Sequence, residues 1–103
     1  MHDIAAVLSV VMDMALRLVD GEVGLIQMEE SGALHTRVSW GVDESFIKLL
    51  KYKGDADLAT YCFEHREGVI LSDLNVVSDQ GMKLQSIIAM PVMTKDRTFG
   101  VMT

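Results

Sequence analysis

Two hydrophobic periods alternate along this chain. Residues 3–20 repeat at helical spacing, with Ile4, Val7, Leu8, Val11, Leu16 and Leu18 among the apolar positions. Asp3 stands where a helix cap is needed, and Gly21 where the helix should stop. The polar members Asp3, Ser9, Asp13, Arg17 and Asp20 cover only about a third of the circumference at roughly 100° per residue. One core contact needs a narrower apolar arc than this. The pattern therefore predicts a helix that packs on its own sheet with one side and on a second helix, another subunit, or both, with the other.

Residues 22–28 and 33–40 have strand character and are joined by Glu29-Glu30-Ser31-Gly32, which predicts a hairpin. In the second run Leu34, Thr36, Val38 and Trp40 should share one face, with Ala33, His35, Arg37 and Ser39 on the other, and Gly41 ends it. From Asp43 the period turns helical. A short helix capped by Asp43 would hold Phe46, Ile47, Leu49 and Leu50, and Lys53-Gly54-Asp55 would break it. A second helix over about residues 56–66 brings Leu58, Tyr61, Cys62 and His65 together. After Glu67-Gly68 comes the short strand Val69-Ile70-Leu71, then a polar loop over residues 72–83 with room for one helical turn.

Residues 86–103 predict a last hairpin turning at Lys95-Asp96-Arg97. Proline cannot donate to a sheet ladder, so Pro91 marks a bulge, an edge or a strand irregularity. Gly100 in the returning strand predicts close approach of something bulky, or a second irregularity. The order of helix, two strands, two helices, strand, loop and two strands gives an α+β fold: an antiparallel sheet with helices packed on it, one domain over residues 1–103.

Composition narrows the function. Half of the residues are hydrophobic, so a packed core is expected rather than disorder. The net charge is −6 and Lys48, Lys51 and Lys53 lie among acids, which argues against direct nucleic-acid binding because phosphate contacts need a concentrated basic face. The apolar run over residues 4–12 is interrupted by Ser9 and ended by Asp13, well short of the roughly 20 residues that span a bilayer. No membrane insertion by this chain is expected. The single cysteine, Cys62, excludes an internal disulfide framework and a multi-cysteine zinc site, and a lone thiol fits a reducing, cytoplasmic setting.

Cys62 and His65 lie three apart on one predicted helix. Such a pair can activate a thiolate or supply two metal ligands. The plainer reading is a buried structural thiol beside a solvent-facing histidine at a helix C-terminus. No metal site is assigned. The eight methionines, Met82, Met90, Met93 and Met102 among them, are read first as core filling and second as an adaptable pocket lining.

Four segments in this order resemble the GAF domain family. They are Ala15-Leu16-Arg17-Leu18-Val19-Asp20-Gly21 leading into the first strand, and residues 34–41 closing on Gly41. Then come Glu64-His65-Arg66-Glu67-Gly68-Val69-Ile70-Leu71-Ser72-Asp73, and Ser86-Ile87-Ile88-Ala89-Met90-Pro91-Val92 followed by Phe99-Gly100-Val101. The resemblance covers nearly the whole chain. It implies a GAF-like fold, related to profilin and PAS domains, and a non-catalytic sensory or regulatory domain of a bacterial-type signal-transduction protein. Such a domain binds a small molecule, dimerises, or both, to control an effector outside the chain, as in two-component or transcriptional regulation.

By the same resemblance the ligand site lies between the sheet and the excursion over residues 43–85, with Phe46, Tyr61, Met82, Ile88 and Met90 as candidate lining residues. A homodimer through the N-terminal helix would use Val7, Val11 and Leu18. The chain departs from the family in lacking the long closing helix after the last strand, so a piece of a longer polypeptide is expected. The family's cyclic-nucleotide signature is absent, and Cys62 precedes the short strand rather than following it as a bilin-attaching cysteine does. No cofactor is named. A ligand-free dimerisation scaffold is the alternative. A GAF-fold methionine sulfoxide reductase is a third reading, set back because one thiol cannot complete an intramolecular disulfide cycle.

Overall fold

The computed structural model of the chain describes residues 4–19, 23–41, 52, 54, 57–74, 76–77 and 83–103. Helix α1 spans Ile4–Val19. It is followed by strands β1 (Gly24–Glu30) and β2 (Ala33–Trp40), helix α2 (Leu58–His65) and strands β3 (Val69–Leu71), β4 (Val76–Val77), β5 (Lys83–Leu84), β6 (Ile87–Met93) and β7 (Thr98–Met102). Five strands form one antiparallel sheet in the order β2-β1-β7-β6-β3. This is the α+β architecture that the hydrophobic pattern predicts. The first helix of the excursion, with Asp43, Phe46, Ile47, Leu49 and Leu50, lies outside the described residues, as do the cap positions Asp3 and Gly21.

β1 runs through Glu29 and Glu30, so the hairpin turn is tighter than the four-residue loop read from sequence. Ser31 and Gly32 both have positive φ, 53° and 83°, the backbone of the two-residue turn that matches strand twist. The Gly32 N–H donates to Glu29 Oε1 at 2.9 Å.

β2 corrects the expected face assignment. Ile26 faces Val38 and Gln27 faces Thr36, which leaves Arg37 as an extra residue in a bulge. A bulge reverses the alternation beyond it. Leu34 therefore packs on one side of the sheet, whereas Val38 packs on the other, and Trp40 is exposed. Strict period-2 counting cannot see this.

The polar loop over residues 72–83 is corrected as well. It opens a separate antiparallel ribbon, β4 against β5, continued by Leu74 N–H donating to Gln85 O at 2.8 Å. Strands of two residues are too short to leave a hydrophobic period.

Pro91 and Gly100 behave as expected of strand irregularities, for different reasons. β3 pairs with Ile87, Ile88 and Ala89, so among the described strands that side of β6 is an edge from Met90 onward, a place that tolerates proline's missing donor. Gly100 sits where a Cβ would overlap the carbonyl oxygen of Gln27 in β1. The bulky neighbour is a backbone. A second bulge, at Phe99, follows because Val92 faces Gly100 while Met93 faces Thr98.

The two helices lie on opposite faces. α1 packs on β1 and β2, and α2 on β6 and β7. On the α2 face Leu58, Ala59 and Cys62 meet Ile87, Ala89 and Val101. On the α1 face Leu8 and Met12 meet Ile26. Among the described elements, each helix thus packs chiefly on one half of its face.

Candidate functional site

α2 begins two residues later than the sequence pattern suggests, because Asp57 caps it. Asp57 Oδ1 accepts from the Thr60 N–H at 2.8 Å, and Oδ2 accepts from the Thr60 hydroxyl at 3.2 Å. The helix ends at Arg66, which is left-handed at φ 55°, ψ 37°. Its Nη2 donates to the carbonyls of Thr94 (2.7 Å) and Lys95 (3.0 Å) in the β6–β7 turn. A helix of eight residues would be marginal by itself. The two caps, the tether and the apolar face together fix it on the sheet.

Between the outward flank of α2 and the β1–β2 hairpin lies a cavity of about 340 Å³. Leu34 and the Gly32-Ala33 turn form one side, while Asp57, Thr60, Phe63 and Glu64 form the other. Gln27 lines it from β1. Gln27 is only 2% exposed, and its Oε1 is buried with no hydrogen-bond partner among the described residues. Buried amide groups are nearly always paired, so an orphan beside a cavity marks a place where a polar group can be received. Sequence reasoning passed over Gln27 and Asp57. Signals for both exist: a lone amide in the apolar run Gly24-Leu25-Ile26-Gln27-Met28, and an Asp three residues before a threonine at a helix start.

The residues singled out from sequence are dispersed. Tyr61 is buried in the α2 face of the core. Its ring meets Tyr52 edge-on at 4.8 Å and stacks on His65 at 4.0 Å, and its hydroxyl donates to Glu67 Oε2 at 3.3 Å. Met90 pairs with Met102, and Ile88 with Ile70, which places both on the α1 face of the sheet, opposite Tyr61. Ile88 and Met90 are exposed there. Phe46 and Met82 lie outside the described residues.

Cys62 is wholly buried, and burial pushes its thiol from an ordinary 9.0 up to about 11. At neutral pH it is a neutral, inaccessible thiol, the opposite of an activated nucleophile. His65 is exposed, and its Nδ1 lies 3.0 Å from the Tyr61 carbonyl. A carbonyl only accepts, so Nδ1 carries the proton. Among the described residues no group of three or more His, Cys, Asp and Glu is placed to hold a metal ion. None of their helices is long and apolar enough to cross a membrane.

On α1, Val7, Val10, Val11 and Met14 are between 42% and 59% exposed. They form a second apolar stripe beside the buried one of Leu8 and Met12, so the wide arc read from sequence is divided between a core contact and an open face. The side chain of Leu18 lies outside the described set.

The family model of the GAF domain matches residues 3–103, nearly the whole chain. No curated protein matches it.

Proposed function

The chain belongs to the GAF domain family, whose members are typically sensory and regulatory and generally non-catalytic, and on that premise we propose that it senses a small molecule in the cavity beside α2. The single observation that carries this reading is the Gln27 amide oxygen, buried and without a hydrogen-bond partner among the described residues, on a side chain that lines that cavity. A ligand that meets the amide and bridges α2 to the β1–β2 hairpin favours one arrangement of these elements. α1 packs on the opposite side of β1 and β2, so a shift of the hairpin reaches the helix that carries the exposed stripe. The mechanism is a population shift, and its size is bounded by the ligand's preference for one arrangement. The effector it controls is a separate domain or protein. A reducing, cytoplasmic setting goes with the one buried free thiol. The neutral state of Cys62 at physiological pH gives no support to thiol catalysis.

Thermal unfolding against a panel of small metabolites tests this, because a ligand of the folded state raises the melting temperature in a saturable way. A specific rise that is lost in Gln27→Leu supports sensing at this cavity. A panel with no effect on the folded chain removes the sensing reading.

The exposed stripe supports a second reading, a dimerisation scaffold. Contiguous exposed apolar surface on a helix marks an interaction face, and Val7 and Val11 lie within it. Val11→Glu is expected to give monomers without unfolding the chain, measured as mass by light scattering. A wild-type chain that is already monomeric, or a dimer indifferent to this charge, eliminates α1 as the contact.

A further inference from the structure

The cavity beside α2 is acceptor-rich on its polar side. Asp57 and Glu64 bring two carboxylates, and among the described lining residues there is no lysine, arginine or histidine. The Thr60 hydroxyl gives its proton to Asp57 Oδ2, so only its lone pairs remain for a visitor. At the N-terminus of α2 Asp57 already answers the Thr60 N–H with a negative charge, which disfavours an anion there. The Gln27 amide, 2% exposed and with its oxygen unpaired, adds one more acceptor. Half-buried Leu34 and Phe63 supply an apolar wall.

Resting on the sensing reading above, we propose that this cavity selects a small primary ammonium compound with a compact apolar body. The ammonium has three donors and no acceptor, which complements Gln27, Asp57 and Thr60. Glu64, exposed at the end of the same helix flank, adds attraction from the solvent side. The cavity volume of about 340 Å³ suits a small molecule. Phosphates and carboxylates are turned away by the two acidic side chains, and the net charge of −6 acts in the same direction.

The test uses three probes of one shape on the whole chain: phenethylammonium, the neutral 2-phenylethanol and the anionic phenylacetate. Binding is read by thermal shift and by amide NMR shifts at Gln27, Leu34 and Thr60. Phenethylammonium alone should raise the melting temperature, and its binding should weaken as salt is added. Asp57→Asn keeps a good helix cap and removes the charge, so it should leave folding intact and weaken binding about tenfold, as for one lost charge-assisted hydrogen bond. Glu64→Gln, at an exposed position, should weaken it less. Gln27→Leu should abolish binding while the free protein melts no lower, because an orphaned amide has been replaced by an apolar group of similar size.

Equal or tighter binding of the alcohol or the acid overturns the ammonium class and leaves the sensing cavity standing. Silence towards all three probes, with a response at these amides to another metabolite, does the same. Silence towards every compound overturns both. Ammonium binding unchanged in Asp57→Asn and Gln27→Leu overturns the site.

Discussion

α1 and α2 lie on opposite faces of one sheet, and among the described residues the shorter helix shares in the larger buried cluster. α2 has eight residues, caps at both ends, an arginine tether to the β6–β7 turn, and a share in a cluster of eight buried residues. α1 has sixteen residues, yet its buried cluster with the sheet is Leu8, Met12 and Ile26, and Val7, Val10, Val11 and Met14 face solvent. Length is a poor guide to the size of a buried cluster; how much of the apolar arc meets the sheet decides it. An apolar stripe open to solvent suits an element that passes a signal to a neighbour. A helix capped at both ends and tethered to a turn suits the wall of a binding site.

A matched pair of glycine substitutions breaks the comparison most severely. A Cβ at Gly100 overlaps the backbone oxygen of Gln27, so β1 and β7 must separate. Gly100→Ala is expected to cost roughly 3 kcal/mol or more, at the upper end of overpacking effects. A Cβ at Gly24 meets the thioether end of Met12 on α1. The flexible end of a methionine side chain can swing aside, and Gly24→Ala should cost about 1 kcal/mol. Urea unfolding of the two variants measures the difference. Equal costs would mean that α1 is as rigidly seated as the central strands.

Leucine truncation sharpens the same contrast. Leu58→Ala, at a site with no exposure, should cost about 3 kcal/mol and Leu8→Ala, at 9% exposure, about 2 kcal/mol. The manner of failure is more telling than the size. Leu58→Ala should lower protection from hydrogen exchange throughout the sheet, whereas Leu8→Ala should lower it in α1 first. Uniform loss in both variants would show a single cooperative unit.

These contrasts also explain what could be read from sequence. α1, the two hairpins and α2 announce themselves because each carries enough residues for a period to emerge, and capping and turn residues mark their ends. β4 and β5 do not, since two residues have no period. The face assignment in β2 fails at Arg37 because a bulge depends on pairing with β1, which is tertiary information. The candidate cavity was less legible still. Tyr61 was rightly placed on α2, but it is buried against Tyr52 and His65 rather than lining the cavity, and Ile88 and Met90 belong to the other face. Gln27 and Asp57 matter there because of what surrounds them in space: a strand buried on both faces and a helix start beside a hairpin.

A subtler difference between the halves is chemical. The α2 face buries a titratable thiol, and burial holds the Cys62 pKa at about 11 against an ordinary 9.0. The folded state therefore keeps its proton more tightly than the unfolded chain. This contribution to stability is complete below pH 9 and disappears as pH rises from about 9 through about 11. Stability measured across that window should fall more steeply for the wild type than for Cys62→Ala, which has no thiol to ionise. Parallel curves would mean that the thiol meets water before the chain unfolds.

The smallest expected effect concerns the tether that sets α2 apart from α1. Arg66 contributes two opposing terms: a left-handed backbone at φ 55°, unfavourable for a residue with a Cβ, and a guanidinium bound to two turn carbonyls. Arg66→Gly relieves the first and loses the second, so its net effect should stay within about 0.5 kcal/mol. Arg66→Ala keeps the strained conformation and loses the carbonyl contacts, and should be the less stable of the two by about 1 kcal/mol. If both variants are destabilised equally, the tether outweighs the backbone conformation, and the grip of α2 on the sheet rests on the β6–β7 turn more than on its own C-cap. If alanine matches the wild type, neither term holds α2, and its anchoring comes from the buried face alone.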